Sequence, residues 1–451
     1  MQATKHEDFC WQRQPAGQAL FDELLREATA ASPALAQFAQ QLLRETGTRL
    51  IDICDHVGLP ANDPRIAQLA QIGFRSENHA RETVWEHPGG LFPRIRQACG
   101  GQRSVAVLVE SVADFLCAHG RDDRTPISGA PGAAVRLAVV DSQSLVAFQV
   151  IERHGERGFE PTDVQPDGLA HVAHHAASLR RRRRSYATPE QGFQHACELI
   201  AEANAHIGVA RTCDLFFAAE REYWQRRNRA ARAQKARQDR LGIGWSNHDH
   251  HTYRSSRECF VLLAQALELM GFQCRERFYA GQEAGWGAQV FEQPACGIVV
   301  FADVDLSPEE VSGDFAHQAL PPGEAMGTVG LWCQLHGEAF LEAGLHHLEC
   351  QFSFDAATAA LADDGIARMA PFTDFEHLRQ AFTTGENWPV AEARIERALE
   401  RGWISADQAK IFERDGAIGS HLEILERNDG YKGFNQAGIS DIIRQTDPRF
   451  R

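Results

Sequence analysis

Asn247–Arg254 reads N-H-D-H-H-T-Y-R, and its reading decides the fold of the second half of the chain. A helical run and then short strand-like runs follow it. Gly344–Phe352 reads G-L-H-H-L-E-C-Q-F and opens a second unit in the same way. Each unit begins with histidine on a strand. A third strand-like run, Gly419–Glu426 (G-S-H-L-E-I-L-E), carries Glu423. Two imidazoles and one carboxylate are the usual protein share of a mononuclear iron site with open positions.

Outward from this stretch, the spacing predicts strands at His248–Ser255, Gln273–Tyr279, Gly287–Phe291 and Gly297–Asp303, with a helix at Arg257–Met270. That order is β-α-β-β-β. After the loop Pro321-Pro322-Gly323, Gly344–Phe354 starts another strand-then-helix unit, and helices are expected over about Asp374–Glu413. The order suggests a divergent duplicated module. On a regular strand, His248 and His250 share one face while Asp249 and His251 share the other. By the same alternation His346 and His347 point to opposite sides, so one of them alone faces a common site. Glu423 and Leu425 share a face, opposite Leu422, Ile424 and Glu426.

The rest of the chain reads as α+β. Gly17–Val57 reads as two helices, the second ending at Thr46-Gly47. Arg103–Ala118 is helical or mixed. Val135–Asp141 and Leu145–Arg153 form a hairpin through Ser142-Gln143-Ser144, and Thr188–Gln234 is mainly helical. The expected organisation is an N-terminal α+β region over 1–186, a helical bridge over 187–245 and a metal-binding region over 246–451. The apolar stripe of Thr188–Ala203 has to be buried, so the first half should pack on the second.

Composition narrows the function. With 451 residues, 43% apolar and 24% charged, the chain is of ordinary globular type. A net charge of −15 argues against nucleic-acid or anionic-membrane binding. No apolar run approaches a membrane span, and M-Q-A-T-K-H-E-D has no signal-peptide core, so a cytoplasmic location is expected. Arg180 to Arg184 reads as a solvated linker or helix start, or alternatively as an anion or acidic-partner patch. The eleven cysteines contain no C-x-x-C pair, which fits reduced residues better than a disulfide framework or a zinc site. His171, His174 and His175 read as a helix surface rather than a metal site, and Glu45–His56 carries no defined chemistry. Gly281–Gly287 is too irregular for a phosphate loop. Tyr431–Gln436 follows the Glu423 strand and is placed to close over a site.

Paired β-α-β-β-β modules forming a cupped sheet are the architecture of the vicinal-oxygen-chelate superfamily. Within it, the chain resembles the 2-oxoadipate dioxygenase/decarboxylase family over roughly Ser246 to the C-terminus. The resemblance is carried by His250-His251-Thr252-Tyr253-Arg254, by His346-His347-Leu348, where the family has Asn at the first position, and by Glu423-Ile424-Leu425-Glu426. It implies His250, His347 and Glu423 as ligands of Fe(II), with Arg254 as the anchor of a substrate carboxylate. It also implies a small-molecule 2-oxo acid and O₂ as reactants, as in conversion of 2-oxoadipate to 2-hydroxyglutarate with loss of CO₂. Arg254 lies four residues after His250, hence on the same strand face, and its planar fork suits a bidentate carboxylate. Two other readings stand beside this one. The first is a metal-dependent isomerase or lyase of the same superfamily; the second is a non-catalytic cup that sequesters a small molecule.

Overall fold

The computed structural model describes residues 11–79, 82–98, 101–323, 325–435 and 446–450. Two open mixed sheets with helices packed against them make up an α+β fold.

The second sheet contains β9 (His248–Arg254), β10 (Gln273–Tyr279), β11 (Trp286–Gln293), β12 (Ile298–Asp305), β13 (His347–Gln351), β14 (Thr373–Phe375), β15 (Leu378–Phe382), β16 (Glu386–Trp388) and β17 (Ala417–Arg427). Its order is β10-β11-β12-β9-β13-β17-β15-β14, with β16 pairing with one end of β17. In each module the first strand runs parallel to the last, β9 with β12 and β13 with β17. The two first strands meet antiparallel at the centre. The other neighbouring pairs are antiparallel. This is the expected vicinal-oxygen-chelate-like sheet. The helices Phe260–Leu269 and Phe354–Asp363 follow the first strands as the sequence predicts. The expected helical stretch Asp374–Glu413 is corrected: it supplies β14, β15 and β16 before the helices Glu392–Glu400 and Ala406–Asp415 begin. Three-residue strands carry too little alternation to be read locally.

The first half holds an unexpected repeat of the same plan. Its strands are β1 (Cys54–Pro60), β2 (Arg75–Asn78), β3 (Glu82–Glu86), β4 (Arg94–Ala98), β5 (Arg103–Leu108), β6 (Ile127–Ser128), β7 (Val135–Asp141) and β8 (Val146–Arg153). Their order is β2-β3-β4-β1-β5-β8-β7-β6, with β1 parallel to β4, β5 parallel to β8, and β1 antiparallel to β5. The duplication therefore runs through all four modules, two in each sheet. The stretch Arg103–Ala118 divides into β5 and the helix Val112–Ala118.

Period-two alternation sorts the second sheet into two faces. Tyr253, Val300, Ala302, Leu348, Cys350, Leu422 and Ile424 join Phe216, Phe217 and Trp224 of the helix Val209–Gln225 in one core. Burying a side chain of this size stabilises by about 1.5–3 kcal/mol. The first sheet buries Val105, Val107, Phe148 and Val150 under Phe21, Leu35, Phe38 and Leu42 of the helices Pro15–Ala31 and Pro33–Thr46. The second of these helices ends at Gly47, whose φ of 73° and N–H to the Leu43 carbonyl make the predicted cap.

The halves are knitted directly. Arg49 donates to the Asn428 side chain at 2.6 Å and to the Arg427 carbonyl at 2.9 Å. The Ser353 N–H donates to the Gly47 carbonyl at 2.9 Å. The solvated reading of the arginine run holds for Arg180, Arg181 and Arg183 and is corrected for the other two. Arg180 and Arg181 close the helix Pro166–Arg181, but Arg182 is buried against Glu220 at 3.0 Å, and Arg184 reaches the same carboxylate. A buried acid outside the run, not visible locally, draws them inward. The nine described cysteines are all free. Among the described residues no helix is long and apolar enough to cross a membrane.

Candidate metal centre

The opposite face of the second sheet lines a cavity. His250, Thr252 and Arg254 come from β9, Phe301 and Asp303 from β12, His347 and Glu349 from β13, and His421 and Glu423 from β17. Parallel pairing puts Glu349 beside Glu423, and antiparallel pairing puts Glu349 opposite His250. Three strands thus bring four ligand-type side chains to one place.

Glu349 is the hub. Its Oε1 lies 2.5 Å from His250 Nε2 and 2.9 Å from His347 Nε2. Glu423 Oε2 lies 3.8 Å from His347 Nε2, and Gln380 donates to Glu423 Oε1 at 2.8 Å. The sequence-predicted His250, His347 and Glu423 are therefore brought together, with Glu349 between them. Glu349 was missed although the signal was present: it lies two residues after His347 on one strand, hence on the same face. His421, two residues before Glu423, was missed in the same way. It is fully buried in the cavity wall, and neither ring nitrogen has a hydrogen-bond partner among the described residues.

Two expectations about facing are corrected. His248 does not share the His250 face. A bulge at Asp249 lets β9 spend an extra residue, so Glu349 pairs with His250 while Cys350 pairs with His248. His248 instead sits beside His251, with ring centroids 5.3 Å apart. His346 precedes β13, so strand alternation does not govern it. It too borders the cavity, with Nδ1 donating to the Gly419 carbonyl at 3.1 Å.

The bulge gives Asp249 its role. Its Oδ2 accepts from His250 Nδ1 at 2.8 Å, and Arg427 grips it through two hydrogen bonds of 3.1 Å. Burial alone would raise the Asp249 carboxyl, but Arg427 and His250 hold it well below its ordinary value. The Nδ1 proton is thereby fixed and Nε2 is left as the lone-pair donor, the outer support typical of a metal-ligating histidine. Burial pushes His250 down to about 4, against the pull of Asp249. Burial and then the neighbouring Glu423 charge push Glu349 well above the carboxylate range, and burial takes Glu423 up to about 7. Two adjoining buried carboxylates with neutral imidazoles form a donor set that is stable in ionised form only beside a cation. A divalent ion fits these residues.

Arg254 stands further along β9 at the same cavity. It is 3% exposed, and its Nε and Nη1 have no hydrogen-bond partner among the described residues. Asp303 Oδ2 is 4.0 Å from Nε. Burial pushes the Asp303 carboxyl up to about 8 although Arg254 opposes this. The acid nearest the guanidinium is thus held toward its neutral form. Six aromatic side chains also line the cavity: Phe278, Trp286, Phe301, Phe372, Phe382 and Phe434. From the closing loop, Phe434 packs on His250 with centroids 5.2 Å apart, while Gln436 lies outside the described residues.

The first sheet carries a reduced twin of this site. His56 Nδ1 pairs with Asp55 at 2.8 Å, and Arg153 grips Asp55 at 2.6 and 2.9 Å. Arg153 donates to the Gly158 carbonyl ahead of Phe159, as Arg427 donates to the Gly433 carbonyl ahead of Phe434. Phe159 packs on His56 as Phe434 packs on His250. The register bulges at the same place, between Cys54 and His56. The carboxylates are gone, however. The register sets Ala106 and Gln149 where the second sheet has Glu349 and Glu423, and Ser104 where it has His347.

No family model matches the sequence, and no curated protein matches it. Among solved structures, a triple mutant of 4-hydroxymandelate synthase from Streptomyces coelicolor is similar over 88% of this chain and 97% of its own. The identity is 12% and the TM-score 0.27. A xylose isomerase-like TIM barrel/4-hydroxyphenylpyruvate dioxygenase fusion protein matches over 88% of this chain and 52% of its own, at 10% identity and TM-score 0.25. Methylmalonyl-CoA epimerase from Mycobacterium tuberculosis matches over 40% of this chain and 88% of its own, at 11% identity and TM-score 0.24.

Proposed function

We propose that the protein is an Fe(II)-dependent dioxygenase that oxidatively decarboxylates a small 2-oxo acid to the 2-hydroxy acid one carbon shorter. The substrate, O₂ and the two products balance: the 2-oxo acid and O₂ give CO₂ and the hydroxy acid. The observation that carries this reading is the buried meeting of His250, His347 and Glu423 on the inner strands. Those three side chains would hold the iron, whose open positions supply activation of O₂ beside a chelated 2-oxo acid. Asp249 holds the His250 proton on Nδ1, and Gln380 orients the Glu423 carboxylate. Glu349, pushed toward its protonated form, would be a proton holder at the ligand cluster or a further ligand. Arg254 would take the distal carboxylate of a dicarboxylic 2-oxo acid, and the aromatic wall would keep bulk water out.

The same six aromatic side chains favour a second substrate reading, a ring-bearing 2-oxo acid whose ring stacks on them. One experiment addresses both. Protein purified without oxygen is assayed for metal, and an oxygen electrode follows it with dicarboxylic, aromatic and short aliphatic 2-oxo acids. About one iron per chain and O₂ uptake matched by CO₂ release are expected. Metal binding without O₂ uptake would leave the isomerase or lyase reading, and no metal binding would leave the sequestering cup.

A further inference from the structure

The helices Pro166–Arg181 and Pro189–Ile207 pack side by side, far along the chain from the residues discussed above. His171 and His175 are four residues apart on the first and share one of its faces; Glu202 and His206 are four apart on the second. The packing joins the two faces. His175 Nε2 lies 2.8 Å from His206 Nδ1, and the His171 ring stacks on His206 with centroids 4.5 Å apart. One ligand atom from each of the three imidazoles lies within 4.8 Å of the others. His175 is 1% exposed, while His171 and His206 are open to solvent. None of the three lines the cavity around Glu349.

Nothing in the proposed dioxygenase chemistry uses this cluster. A chance surface histidine does not bury an imidazole against a second one across a helix interface. Burial, with the neighbouring imidazoles of His174 and His206, holds His175 below its ordinary value. That favours the neutral form, which is the form that ligates. Two nitrogens bound to one tetrahedral zinc stand roughly 3.3 Å apart, from bonds of about 2.0–2.1 Å. The 2.8 Å contact is close to that spacing.

We propose that His171, His175 and His206 form a second metal site, for a borderline divalent transition ion such as Zn²⁺, stapling the two helices. Three imidazoles without a thiolate suit zinc, nickel or copper better than magnesium or calcium. Glu202, exposed one turn before His206, lies near enough for its charge to act on His175. The site is independent of the iron reading and stands or falls without it.

The test uses the full chain, stripped with a chelator, dialysed and titrated with zinc, with bound metal counted by elemental analysis. The parent is compared with His171→Ala/His206→Ala, both exposed positions outside the apolar core. The double variant should bind one zinc per chain fewer than the parent, whatever the total. Zinc should also raise the melting temperature of the parent more than that of the variant. A conservative His206→Gln variant should lose the same equivalent and keep the parent's circular dichroism. Equal zinc stoichiometry in parent and both variants would overturn the proposal, as would equal zinc-induced melting shifts.

Discussion

Arg254→Lys separates anchoring from metal holding. The guanidinium is buried, two of its nitrogens are unpartnered among the described residues, and its nearest acid is 4.0 Å away. It is therefore poised to meet an anion in the cavity. A lysine keeps the charge but not the fork, so one of two parallel hydrogen bonds to a carboxylate is lost in a site without bulk water. Losing a charged, buried contact of this kind costs about 2–5 kcal/mol. At 1.36 kcal/mol per tenfold, that is a fall of roughly 30- to 5,000-fold in kcat/KM. The assay is O₂ uptake against concentration for a dicarboxylic 2-oxo acid and its monocarboxylic analogue, with iron measured on the same samples. The fall should be confined to the dicarboxylic substrate, and iron content should match the parent, because among the described residues Arg254 makes no hydrogen bond to His250, His347 or Glu423. Parent-like turnover of the dicarboxylic substrate by an iron-replete variant would refute the anchor. So would equal losses on both substrates.

Three further outcomes are expected. Asp249→Asn should lower metal affinity about 10- to 100-fold, as loss of an outer support does, and equilibrium metal titration with parent-like folding checks it. Metal-free Asp303→Asn should change the pH dependence of stability. With the folded-state value raised to about 8 and an unfolded value near 4, the parent's folded form holds a proton that the unfolded form has released. Stability present at the acid end is therefore lost as pH rises from about 4 to 8. The parent should fall relative to the Asn variant by up to about 1.4 kcal/mol per pH unit, and denaturant melts at pH 5 and pH 8 read the difference. A gap that does not widen with pH would contradict the protonated Asp303. Finally, His56→Ala should leave iron content unchanged while His250→Ala abolishes it. The twin has Ala106 and Gln149 in place of acids, so its histidine has no ligand set to complete. A loss of iron in folded His56→Ala protein would show that the first sheet takes part.

Much of the second half was legible because its information is local. Apolar alternation and the Gly and Pro punctuation placed β9 to β13 and β17, and period two put Arg254 on the His250 face. The closing loop was legible as a loop, and Phe434 of that loop does reach His250. The unread parts share a physical cause. The strands β14 to β16 are too short for a period to show, and the bulge that turns His248 away depends on how β9 pairs with β13. The burial of Arg182 depends on Glu220, an acid 38 residues away on another helix.

The sequence by itself determined the helix or strand character of most of the longer segments of the second half, that Arg254 shares the His250 face, and that two histidines and a glutamate sit on strands of the right order. Tertiary structure alone decided which faces meet. Parallel pairing of β13 with β17 and antiparallel pairing with β9 set Glu349 among His250, His347 and Glu423. Helix packing set His206 on His171 and His175. Strand order and register, not residue identity, revealed that the first sheet repeats the plan of the second. The reason is that local pattern reports only how a segment meets water or core. Which of many apolar faces it meets is settled by long-range packing, and the pairing register then carries every polar side chain to its partner.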